Sequence, residues 1–153
     1  MNIIDHGSWV LYTPALGKRP DDAPLSAMFA RRESDQVDWY EYVKDPASFQ
    51  TGTVKFAAVY RDYAGGYVVG PAVYAADRIF PAGHIVGEIT DYAGSDPQAD
   101  LGNKVYDPAT ATFSEMPPIP APELEPNKIE RQILATLASL IERLDKLEQH
   151  KER

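Results

Sequence analysis

The sequence predicts a mainly β fold: a small antiparallel β-sandwich or barrel body, then a Pro-rich linker, then one C-terminal α-helix with the pattern of a coiled coil. Three observations predict it. Short apolar runs recur about every ten residues between Gly, Pro and Asp, as in proteins made of many short strands. All ten Gly and all sixteen aromatics lie at or before Phe113, so the last forty residues hold neither. Five Pro fall within residues 117–126. These shifts divide the chain into a body over 1–115, a linker over 116–126 and a helical segment over 127–153.

Within the body, Ser8–Tyr12 reads as a first strand ended by Pro14. Residues 14–26 hold three Pro and a Gly-Lys-Arg turn, which reads as loop. Ala27–Arg31 reads as a second strand. Val37–Val43 reads as a third, with Val37, Trp39 and Val43 on one face by alternation. Val54–Arg61 is the clearest strand, its Val54, Phe56, Ala58 and Tyr60 sharing a face. Asp62–Gly66 supplies a turn with Gly for positive φ, and Tyr67–Val69 returns to form a hairpin. Ala72–Ala75 and His84–Thr90 read as further strands, and Gly94–Pro97 as a turn. Val105–Phe113 reads as a last short hairpin with Tyr106 and Phe113 on its arms.

Pro117, Pro118, Pro120, Pro122 and Pro126 exclude a helix or a central strand. They suit an extended polyproline II spacer. Beyond it, Asn127 and Glu130 stand at capping-box spacing. Apolar residues recur at Ile129, Ile133, Leu137, Leu140, Leu144 and Leu147, spaced 4, 3, 4, 3 from Ile133 onward. That is a heptad seam with Leu137 and Leu144 at a and Ile133, Leu140 and Leu147 at d. Leu134 and Ile141 fall at e and widen it. These eight residues are the candidate oligomerisation site. Arg143 at g and Glu148 at the following e match an interchain pair in a parallel coiled coil. Apolar e positions and a sites without β-branched residues favour three or more helices, so a homotrimer is expected. The competing reading is an amphipathic helix folded back on its own body.

Charge narrows the partners. The net charge is −8, and residues 1–122 carry −7 of it. An acidic body repels phosphate backbones and anionic bilayers, so neither nucleic acid nor membrane is an expected partner. No run of about eighteen apolar residues exists to span a bilayer. Met1–His6 lacks the basic start and apolar core of a secretory signal. With no Cys there is no thiolate site or cysteine nucleophile.

Catalytic and metal patterns are sparse. His6, His84 and His150 lack metal-ligand spacing; His84 is expected at a strand start and His6 in a mobile terminus. Glu33, Asp35, Asp38 and Glu41 beside Trp39, Tyr40 and Tyr42 suggest a sugar cleft, which needs two carboxylates about 5–9 Å apart for hydrolysis. Asp91, Asp96, Asp100 and Asp107 surround turns, as calcium loops do, without EF-hand spacing. Gly83–Gly87 lacks a dinucleotide fingerprint, and no Ser lies in Gly-x-Ser-x-Gly. No catalytic residue, cofactor or metal is therefore expected, and the chain is read as a non-enzyme.

The segment Val105-Tyr106-Asp107-Pro108-Ala109-Thr110-Ala111-Thr112-Phe113 is similar to a Tyr-Asp-Pro phrase of tailed-bacteriophage tail-fibre and accessory proteins. His6-Gly7-Ser8-Trp9-Val10, Phe29–Asp35 and Val37-Asp38-Trp39-Tyr40 also resemble small phage proteins. So does the order of β body, Pro-rich neck and C-terminal coiled coil. The Tyr-Asp-Pro phrase covers nine of the 153 residues. The resemblance implies a virion structural or adaptor protein of tail, fibre or neck, made in the bacterial cytoplasm and contacting other virion proteins. The alternatives are a tail-fibre assembly chaperone, a glycan-binding module, or a host protein whose Pro-rich segment is a ligand.

Overall fold

The computed structural model describes residues 1–15, 19, 26–119 and 128–151, with side chains of the final helix described over 131–143. The chain divides into two compact units, Met1–Ile119 and Pro120–Arg153. The first is mainly β, as the sequence predicts. Its strands are β1 Ile3–Tyr12, β2 Phe29–Arg32, β3 Val54–Arg61, β4 Gly66–Val73, β5 His84–Ile89, β6 Val105–Asp107 and β7 Thr112–Ser114. All seven join one antiparallel sheet in the order β2-β1-β5-β3-β4-β6-β7. This one sheet carries an apolar cluster on each face. Ile3 of β1 and Phe113 of β7, five places apart in the order, pack on the same cluster.

Alternation along the strands loads both faces. On β3, Val54, Phe56 and Ala58 enter one core with Val69, Ala72, Ile89, Leu101 and Tyr106. Ala57 enters the other, with Trp9, Ala30, Trp39, Ile79 and Val86. The first core turns on one rung, Phe56 opposite Gly87. A Cβ on Gly87 would stand 2.6 Å from Phe56 Cε1, so glycine leaves the space that the ring fills. Tyr106 and Phe113 meet the same ring edge-on at 4.9 and 5.2 Å.

The hairpin of β3 and β4 forms where expected, and Gly65 takes the positive φ of +63° at its turn. Two predicted strands, 67–69 and 72–75, are one. Between Phe56 and Ala58 of β3, β4 carries one extra residue, a bulge at Gly70-Pro71. Proline has no N–H to give a ladder, and a bulge accommodates it. β1 likewise begins earlier than expected. The register shifts between Asp5 and Ser8, where Gly7 sits at φ +82°, so the strand runs on through a bulge. The last hairpin forms as expected, with Tyr106 opposite Phe113.

Two short helices replace predicted strand and turn. Trp39–Lys44 is a helix, α1, not the strand expected over 37–43. The Asp38 carboxylate caps it by accepting from the N–H groups of Tyr40 and Glu41. Trp39, Tyr42 and Val43 then share a face at helical spacing and pack on the second core. The other helix is α2, Pro97–Leu101, which the sequence reading took as the end of a turn. Asp96 caps it by accepting from Ala99 N–H at 3.0 Å, Pro97 opens its first turn, and Leu101 reaches the first core.

In the second unit, Lys128–Lys151 is one helix of 24 residues, α3. The expected cap Asn127 and the Pro-rich residues 120–126 lie outside the described residues.

Gly87→Ala is expected to destabilise the body by about 1–3 kcal/mol, the usual range for overpacking a filled core. The urea midpoint checks it: a fall is expected, with the denaturant slope unchanged.

Candidate functional site

The helix comes first because its pattern is the strongest in the chain. All eight seam residues named above fall within α3. Ile133, Leu134, Leu137, Leu140 and Ile141 are each between 48% and 60% exposed. That is a continuous stripe of large aliphatics at helical spacing. The side chains of Ile129, Leu144 and Leu147 lie outside the described set, as does that of Glu148. A protein helix draws most of its stability from packing its amphipathic face, and a contiguous apolar stripe marks a surface that binds something.

The suggested sugar cleft does not form around Trp39. That side chain is 1% exposed and packs edge-on against Trp9 at 4.7 Å, so it offers no face to a ring. Three of the four neighbouring acids already have partners, and Glu33 is exposed. Asp35 binds Arg32 at 2.6 and 3.0 Å, which holds its carboxyl below the ordinary range. Asp38 caps α1 and accepts from the Tyr12 hydroxyl at 2.9 Å. Glu41 pairs with Lys44 at 3.0 Å. The four turn aspartates are likewise separately engaged. Asp91 accepts from Asn2 N–H, Asp96 caps α2, Asp100 accepts from the Tyr92 hydroxyl, and Asp107 accepts from Ala109 N–H and Thr110. Among the described residues, no group of three or more His, Asp or Glu is placed to hold a metal ion.

His84 begins β5 as expected, its Nδ1–H donating to the Ala82 carbonyl at 2.8 Å. The side chain of His150 lies outside the described residues. His6 overturns its expectation: it is buried, not in a mobile terminus. The bulge at Gly7 lets β1 continue through it and turn it into the second face of the sheet.

There it joins a buried polar network that the sequence reading missed. Glu88 on β5 is 1% exposed and receives donors only. They are His6 Nε2 at 3.0 Å, Gln50 N–H at 2.8 Å and the Thr53 hydroxyl at 2.5 Å. Lys55, directly opposite Glu88 in the sheet, places Nζ 3.9 Å away and donates to the carbonyls of Gln50 and Thr53. Burial pushes the Glu88 carboxyl upward, but bonds from Thr53, Gln50 and His6 outweigh it and hold the group below the ordinary range. Burial lowers Lys55, with the Glu88 charge opposing. Both Glu88 oxygens accept from groups of this chain, which suits a clamp on residues 50–53 better than a catalytic acid. The signal in the sequence was an acid and a base lodged in the two most apolar strands.

Glu88→Ala is expected to cost about 3–5 kcal/mol, because it strands buried donors. With Glu88 lowered in the fold, its contribution is full above the ordinary carboxylate range and fades as pH falls through it. Urea unfolding of wild type and variant across that range checks both the size and the sign: the gap between them is expected to narrow in acid.

Among the described residues, no helix is long and apolar enough to cross a membrane. Comparison with protein-family models, with curated proteins and with solved structures finds no match for this chain.

Proposed function

We propose that this chain is a non-enzymatic structural or adaptor protein that self-associates through α3 as a parallel homotrimer. The observation that carries the reading is the exposed 4-3 apolar seam along α3. Burying its eight aliphatics in a bundle is worth an upper bound of about 12–24 kcal/mol per chain. Leu at a, with Leu134 and Ile141 at e, fits three helices better than two. Arg143 and Glu148 then pair between parallel neighbours, a term of under about 1 kcal/mol that acts on orientation more than on stability.

In this reading the body supplies contact surface. Tyr40, Tyr60, Tyr63 and Tyr74 are exposed there, and Tyr suits interfaces because it buries area and keeps a polar handle. The setting we favour is a tailed-bacteriophage particle, in tail, fibre or neck. It rests on the resemblance of Val105–Phe113 and on the order of body, neck and coiled coil.

Light scattering of the full chain is expected to give three times the 17.0 kDa of one chain. Leu140→Asp is expected to reduce that to one chain with the β circular dichroism kept. A monomeric wild type would move the reading to a helix that waits for a different protein, as an assembly chaperone's would. Mass spectrometry of purified virions tests the setting, since a chaperone leaves before the particle is finished.

A further inference from the structure

The strongest unabsorbed feature is a chain of hydrogen bonds with a fixed direction. It links β1, α1 and β5 on the second face and is independent of the self-association reading. The Glu88 carboxylate can only accept, so His6 Nε2 carries a proton and donates to it. The other imidazole nitrogen, Nδ1, lies 2.7 Å from the Tyr42 hydroxyl on α1. Arg32 on β2 stands over the Tyr42 ring, 4.5 Å from its centroid. With His6 neutral, both steps are satisfied: the Tyr42 hydroxyl donates to Nδ1, and Nε2–H donates to Glu88.

A second proton on His6 breaks this order. Nδ1–H would then face the Tyr42 hydroxyl as a donor, and the Tyr42 proton would lose its acceptor on His6. We propose that His6, Tyr42 and Glu88 form a proton-sensitive clasp, which holds α1 and the segment after it on the sheet when His6 is neutral and loosens them in acid.

The groups facing His6 are Glu88 from β5, Asp5 from its own strand, Arg32 from β2, and Tyr42 and Phe49 from α1 and the segment beyond. Lys55 of β3 stands behind Glu88. Burial and the Arg32 charge disfavour imidazolium, while Glu88 and Asp5 favour it. Burial is the largest effect, and His6 is held below the ordinary histidine value. The linkage sign follows. An unfolded chain takes up the proton first as pH falls through about 6.5, so the clasp's contribution is full above that pH and drains away below it.

The readout is built in, because the only two tryptophans, Trp9 and Trp39, both pack in this core. Tyr42 lies against both, its ring 5.3 Å from Trp9 and 6.4 Å from Trp39. The experiment is a titration of the full chain from about pH 8 to pH 5, following His6 by nitrogen-15 NMR and the tryptophans by fluorescence. His6 is expected as the Nε2–H tautomer, with a midpoint below 6.5 and a fluorescence change on the same midpoint. His6→Gln keeps a donor for Glu88 and is expected to abolish that change. If that variant does not fold, Tyr42→Phe serves, since it uncouples fluorescence from the His6 titration. An Nδ1–H tautomer, a midpoint at or above 6.5, or fluorescence that stays flat while His6 titrates would overturn the clasp.

Discussion

The pairing of β3 with β5 is the constraint on which the body depends. Five rungs run from Val54 opposite Ile89 to Ala58 opposite Ile85. Because side chains alternate, successive rungs serve opposite faces. Phe56 on Gly87 anchors one core, and the adjacent Lys55–Glu88 rung anchors the polar network under the other. A slip of one residue would place Glu88 against Phe56 and send an apolar rung into the polar network. Few registers are so strongly specified, because the penalty falls on both faces at once.

Everything else attaches to that seam. The last hairpin curls inward so that Tyr106 and Phe113 close on Phe56. On the opposite face, Glu88 fixes residues 50–53, and His6 carries the tie across to Tyr42 of α1. Trp39 completes the cover from the same helix. Trp39, Tyr42 and Asp38, which suggested a sugar site in the sequence, are instead parts of this cover. The proposed function rests instead on the apolar seam of α3.

Local patterns in the sequence revealed most of the strands. Val54–Arg61 was legible in full because it alternates cleanly between Asp/Gly-rich breaks. The hairpin at Tyr106 and Phe113 and the heptads of α3 were legible for similar reasons. Val37–Val43 was not, since Trp39 and Val43 fit both a period of two and a helical face, and seven residues cannot separate the two. Asp38 decided it by capping the first turn, and Asp followed by Glu three residues later was the available sign. Gly7 lies just before the first expected strand and Gly70-Pro71 between two others, but a sheet absorbs one extra residue as a bulge. His6 and Glu88 were invisible as a pair. They are 82 residues apart, and alternation shows which face a side chain takes without showing who waits there.

The central claim is that body and helix draw stability from different sources: the body from its own two cores, the helix from copies of itself. Melting followed at several protein concentrations by two probes tests this directly. Tryptophan fluorescence reports the body alone, since both Trp lie there, while helical circular dichroism is dominated by α3. The account predicts a helical transition that moves to higher temperature with concentration and a fluorescence transition that does not move. A single transition shared by both probes and unmoved by concentration would contradict it.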